Sequence, residues 1–152
     1  MIINETLQTI RRRRSVRVFK DQQIGDQELQ VVLEAGLCAP NAGNQSWHFT
    51  AIQNGVILRK LNLAAKECAR KLDNEGLRKL GNDETFDCLH GAPTLILVSA
   101  DEKSPIPLGA DCAAATENML LAARVYWAGI VLDFLCYTCI WLARRQGTTK
   151  NT

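Results

Sequence analysis

Apolar residues recur along the chain with two different periods, and the switches between them mark out the elements. Ile3, Leu7 and Ile10 fall at helical spacing, so residues 2 to 12 read as a short amphipathic helix. Leu29, Val32, Leu33 and Leu37 repeat the pattern behind Asp26, a suitable N-cap, and Pro40 stops this second helix. The loop "APNAGN" follows, and then "WHFTAIQ", which has strand character and runs to an Asn54-Gly55 turn. Helical period returns over residues 56 to 72 through Ile57, Leu61, Ala64, Ala65, Cys68 and Leu72. Residues 73 to 90 are polar and read as loop or short helix. "APTLILVSA" is a continuous apolar run that predicts a strand buried on both faces. The Ala-rich stretch 109 to 125 predicts a helix small enough to pack tightly against a neighbour. A sheet with helices on its faces places the chain in the α+β class.

Composition narrows the function. With 152 residues the chain fits one domain with a sizeable core, and 47% hydrophobic and 22% charged residues are ordinary for a soluble globular protein. A net charge of +2 argues against a dedicated nucleic-acid binder, which carries a strongly basic face. Met1 to Gln8 holds neither a basic start nor a long apolar run, so no secretory signal is expected and the cytoplasm is the predicted location. Six cysteines, mostly single within helix-like or strand-like stretches, read as small reduced thiols. Cys136 and Cys139 have redox or zinc-ligand spacing. No second pair follows them and both histidines lie far upstream, so no metal site is expected.

Against that balanced charge, "RRRRSVRVF" at residues 11 to 19 stands out. A solvated charge run is one reading and an anion-binding turn the other. Arg13, Arg14, Ser15 and Arg17 offer guanidinium forks and a hydroxyl, a set suited to a phosphate and an electron-rich heterocycle. The loop Pro40-Asn41-Ala42-Gly43-Asn44-Gln45 offers amide side chains and backbone with little bulk, suited to the edge of a flat ring. Neither loop is specific alone.

Together, "RRSVRVF", "IGDQELQVVLEAGLCAPNAGN", "WHFTAIQ", "GAPTLILVSAD" and "DCAAATENMLLAA" resemble the nitroreductase-like flavoprotein family over residues 1 to about 125. The resemblance implies a nitroreductase-like α+β fold, with a central, mostly antiparallel sheet flanked by helices, and an FMN cofactor. Arg13, Arg14, Ser15 and Arg17 would hold FMN, one arginine and the serine at the phosphate and Arg17 nearer the pyrimidine edge of the ring. Pro40, Asn41, Ala42 and Asn44 would approach the flavin, from the same subunit or its partner, in a homodimer. The implied activity passes a hydride from NADH or NADPH through the flavin to a small acceptor such as a nitroaromatic or a quinone. The protein then supplies orientation and electrostatics rather than a catalytic nucleophile or base. No Ser-His-Asp set is visible, and His48 and Trp47 read as structural. The alternative is a truncated, non-catalytic remnant that binds flavin or only dimerises. The family's asparagine loop usually reads Asn-any-Gln-Pro-Trp, whereas Asn44-Gln45-Ser46-Trp47 is one residue shorter and lacks the proline, which leaves Gln45 without an assigned role.

The resemblance stops near Tyr126, which divides the chain into a flavin-binding part, 1–125, and a divergent apolar tail, 126–152. Family members continue with a Gly-Leu-Gly-Ser-like turn, a further helix, a strand and a basic end, so the chain reads as C-terminally truncated. Three explanations stand. Val125 to Ala143 is long enough to span a bilayer, although Asp133 near its middle opposes insertion. The tail also suits a buried helix capped by Arg144 and Arg145. The third is a change of reading frame, the favoured one. Trp127 is encoded by TGG and the Ala128 codon begins with G, so the shifted frame forces a glycine. The codons that follow permit Leu-Gly-Ser-Cys-Trp-Ile, the order the family carries at this point.

Overall fold

A computed structural model describes residues 4–41, 43, 45, 47–100 and 108–126. Five helices and two strands follow one another along it. They are α1 (Glu5–Arg12), α2 (Asp26–Leu37), β1 (Trp47–Ile52), α3 (Gly55–Lys71), α4 (Glu75–Asn82), β2 (Leu95–Ala100) and α5 (Leu108–Tyr126). The strands pair antiparallel, Trp47 opposite Ala100 and Ile52 opposite Leu95.

Strand alternation explains the layering. Trp47 and Phe49 of β1 share a face with Ile96, Val98 and Ala100 of β2, and that face meets Val32 of α2 and Cys112, Ala115, Met119 and Ala123 of α5. The small residues of α5 let it lie close against this layer. Gly36 does the same for α2, because a Cβ there would collide with Met119 and sit 3.1 Å from Phe49 Cε2. A second cluster covers the other end of the sheet. There Leu58 and Ala65 of α3, with Cys88 and Leu89, pack near Ile52 and Leu95.

The structure sharpens or corrects the sequence pattern at four places. Gly25, not Asp26, is the N-cap of α2: its N–H donates to Glu28 Oε2 at 2.6 Å, and Asp26 opens the helix. Asn54 and Gly55, read as a turn ahead of the next helix, are already the N-cap and first residue of that helix. Asn54 Oδ1 accepts from the N–H groups of Val56 and Ile57, and α3 starts at once. Residues 73–90, read as loop or short helix, contain the short helix α4, capped by Asn74 Oδ1 accepting from Leu77 N–H. All six residues of β2 are half-buried rather than enclosed, since beside Leu97 and Ser99 the second face carries exposed His48 and Thr50. Residues 127–143 of the apolar tail lie outside the described residues. Among the described residues no helix is long and apolar enough to cross a membrane.

Lysine and arginine side chains fasten α4 to α3. Lys66, buried in α3, donates from Nζ to the carbonyls of Asp83, Glu84 and Phe86 at 2.5, 3.3 and 3.1 Å. Arg70 Nε donates to Gly81 O at 2.8 Å. These cations meet carbonyls at and just beyond the end of α4, where the helix dipole favours positive charge.

Candidate functional site

The arginine run straddles the end of a helix. α1 closes with Arg13 N–H donating to Thr9 O, and Arg13 itself turns extended at φ −59° and ψ 133°. From there the chain runs without regular structure to Gly25, as a strap between α1 and α2. Each arginine meets a different fate. Arg14 folds back, its Nη1 donating to Arg11 O at 2.8 Å and Arg13 O at 2.7 Å, which places a cation at the negative end of α1. Arg13 reaches α5, where its Nε lies 3.5 Å from Glu117 Oε1. Arg17 is exposed, as are Ser15 and Val18, the last by 85%. The far end of the strap is tied down as well. Gln23 Nε2 donates to Thr94 Oγ1 at the approach to β2, and Gln53 Nε2 donates to the same hydroxyl at 3.4 Å.

The second loop is shaped by its own asparagine. Asn41 Oδ1 accepts from Gly43 N–H at 2.8 Å and Gln45 N–H at 3.4 Å. That arrangement holds Gly43 at φ +104° and Gln45 at φ +40°, the left-handed region that glycine tolerates best. The amide oxygen of Asn41 thus organises the loop, and Gln45 has a role in the turn. Pro40 is exposed at its start. Ala42 and Asn44 lie outside the described residues.

Neighbouring residues of α5 bring the strap and α2 to the same level. Glu117 meets Arg13, and Asn118 Nδ2 donates to Ala35 O near the C-terminal end of α2 at 3.1 Å, just ahead of the Pro40 loop. Glu117 and Thr94 were not among the residues singled out from the sequence. The available signal for Glu117 was an acid in the middle of a helix made mostly of small and apolar residues, whose other acid, Asp111, lies in the first turn. Thr94 gave none. The remaining candidates sort simply. Trp47 belongs to the core, stacked on Phe49 with ring centroids 6.2 Å apart, and its buried Nε1 has no hydrogen-bond partner among the described residues. His48 is exposed on β1.

Among the described site residues, Arg14, Ser15, Arg17 and Pro40 are exposed, and Arg13 and Asn41 are half-buried. A groove of about 720 Å³ lies between α1 and α5, lined by Thr6, Thr9, Arg12, Leu121 and Arg124 among others, and it contains none of the candidate residues. Among the described residues no cluster of His, Cys, Asp and Glu could hold a metal ion. Cys38, Cys68, Cys88 and Cys112 form no disulfide among the described residues, and Cys136 and Cys139 lie outside them.

Known proteins bear on this arrangement directly. A protein of Archaeoglobus fulgidus, named as a candidate NADH dehydrogenase/NAD(P)H nitroreductase, is 38% identical over 135 residues, covering 85% of this chain and 67% of the relative. A crystal structure of a Bacteroides fragilis nitroreductase with bound FMN superposes with a TM-score of 0.75 at 45% identity. That match takes in 81% of this chain and 66% of the other, so the chain spans about two thirds of the length of these relatives. A Desulfitobacterium hafniense nitroreductase, also with bound FMN, shares the fold at a TM-score of 0.83 over 95% of this chain and 77% of its own, with 23% identity. These neighbours confirm the nitroreductase fold anticipated from the sequence. The profile of the nitroreductase family matches residues 10–131, from the arginine run through both strands and past the end of α5. The chain therefore belongs to the nitroreductase family.

Proposed function

We propose that this chain is an FMN-dependent oxidoreductase whose cofactor is held by the strap between α1 and α2. The observation that carries the reading is the strap itself. Arg13, Ser15 and Arg17 lie on one segment without regular structure, pinned at Arg13 to α5 and at Gln23 to Thr94, with Arg17 and Ser15 open to solvent. The donor set fits the cofactor: guanidinium and hydroxyl groups match a phosphomonoester, and a second cation suits the electron-rich edge of a flavin ring. FMN bound to a relative 45% identical to this chain supports the same assignment.

Bound FMN would supply two-electron redox chemistry, taking reducing equivalents from NADH or NADPH and delivering them to a conjugated acceptor such as a nitroaromatic or a quinone. The residues of this chain bind and orient. Arg13 and Ser15 hold the phosphate. Arg17 places positive charge toward the ring edge and offsets the negative charge that grows there on reduction. Arg14, whose Nη1 engages the end of α1, fixes the start of the strap beside the phosphate. The Pro40–Asn44 loop presents backbone to the ring, with its turn set by Asn41.

The reading includes a homodimer and assigns flavin binding to residues 1–125. Within the single chain α1 buries no residue completely, and Ile10, Val18, Leu37 and Val125 are exposed. A second copy would cover that apolar surface. The test is the absorbance spectrum of the purified protein mixed with FMN, before and after NADH or NADPH. Flavin that stays with the protein and bleaches on adding the nicotinamide supports the oxidoreductase. Flavin that binds but never bleaches leaves a non-catalytic flavin-binding remnant, and no binding removes the cofactor assignment.

A further inference from the structure

Among the described residues, the acid that meets the strap is Glu117. Residues 11–17 carry five arginines and no carboxylate, and among the described residues Arg13–Glu117 is the ion pair that joins distant parts of the chain. The others, Lys71–Glu67, Lys79–Glu75 and Arg78–Asp73, are local. The Arg13–Glu117 pair is loose. Its Nε–Oε1 distance of 3.5 Å exceeds the 2.7–2.9 Å of a well-formed charge-assisted hydrogen bond, and the two side chains are 34% and 52% exposed, open to a small anion.

Glu117 cannot withdraw by moving its helix. Asn118 is bonded to α2, and Ala115 and Met119 on either side are buried in the core. The carboxylate is therefore held at a fixed level of α5, beside the one arginine of the strap that reaches that helix. It satisfies Arg13 when no ligand is present. A phosphate dianion arriving at the same guanidinium meets both an already neutralised partner and a like charge nearby.

Building on the proposed flavin site, we infer that Glu117 is an internal competitor for Arg13, one that weakens the hold on the FMN phosphate and keeps the cofactor exchangeable. It acts on the phosphate end only, through Arg13, and not on the ring.

The experiment compares FMN with riboflavin, which has the same ring and no phosphate, by flavin fluorescence quenching on the full chain. Glu117→Gln keeps the shape and removes the charge. It is expected to tighten FMN by about threefold to tenfold, to leave riboflavin unchanged, and to lose its effect in the Arg13→Ala background. A purely structural role for Glu117 would shift both flavins together. FMN affinity in Glu117→Gln equal to or weaker than in the parent protein overturns the competitor. Arg13→Ala separates this failure from that of the underlying site. If it weakens FMN while Glu117→Gln tightens nothing, the competitor alone falls; if it leaves FMN binding unchanged, the phosphate is not held here and both assignments fall.

Discussion

Replacing Lys66 by Met tests the account of how α3 and α4 are joined. Lys66 is only 7% exposed, and its ammonium serves three backbone carbonyls at 2.5–3.3 Å. Methionine preserves the length and apolar stem of the side chain, so packing along α3 changes little. What disappears is the donor. A hydrogen bond to a charged group contributes about 1.5–3 kcal/mol, but removing the ammonium also removes its desolvation cost. The net effect is the loss at three carbonyls left short of a partner, about 1 kcal/mol each, reduced because Asp83 and Glu84 lie near water. A destabilisation of about 2–3 kcal/mol results. With a urea m-value of about 2 kcal/mol per molar, the unfolding midpoint should fall by about 1 M with unchanged slope. The turn at Asp83 provides an internal comparison. Its carboxyl is held below the usual carboxylate range, first by the Thr85 hydroxyl and then by the Thr85 N–H, bonds that survive the substitution, while the smaller contribution of the Lys66 charge is lost. Hydrogen exchange should therefore quicken around residues 86–88 while Thr85 keeps its protection. A midpoint within about 0.2 M of the parent would show that the carbonyl cage contributes nothing to stability, and the argument would fail.

Removing both Arg13 and Arg17 by alanine substitution takes away two charge-assisted contacts and should weaken FMN at least about tenfold, read by flavin fluorescence quenching. Unchanged affinity would take the strap out of the cofactor site. Iodoacetamide at pH 8, followed by peptide mass mapping, should label exposed Cys38 well before Cys112. The Cys112 thiol is pushed up by burial and further by the Asp111 charge, so it remains the unreactive protonated form at that pH, and labelling should accelerate only as pH rises beyond the ordinary thiol range. Equal labelling rates at pH 8 would contradict the burial described for α5.

Six of the seven elements can be read from the sequence: α1, α2 and α3 from helical period, β1 and β2 from strand-like runs and α5 from its small residues, although β2 reads as enclosed and is half-buried. The reading of α4 stands between loop and short helix. "EGLRKLGN" contains two glycines and is held largely by contacts with α3: a Cβ on Gly81 would sit 2.7 Å from Lys66 O, so this glycine lets the helices touch. Asn54-Gly55 misled for a different reason. Asparagine before a backbone turn and asparagine capping a helix use the same side-chain oxygen, and only the chain beyond decides between them. The candidate site was legible where chemistry is concentrated in sequence, at Arg13 to Arg17 and Pro40 to Asn44. Its long-range ties were not. Nothing local shows that Arg14 would turn onto its own helix, or that Thr94 would anchor a glutamine more than seventy residues away.

The sheet has a consequence for how this chain is born and kept. Its two strands are separated by the whole of α3, α4 and their loops, so their pairing must wait for a large loop to close, whereas the α3–α4 hairpin assembles from near neighbours. Helices therefore gather before the ribbon does. During that interval "LILVSA" is an uncharged apolar strand without a mate, and in the finished ribbon each strand still has one margin unpaired among the described residues. Such margins invite the addition of a foreign strand. For this molecule, synthesis at high concentration is thus a race between closing its own ladder and lending it to a neighbour.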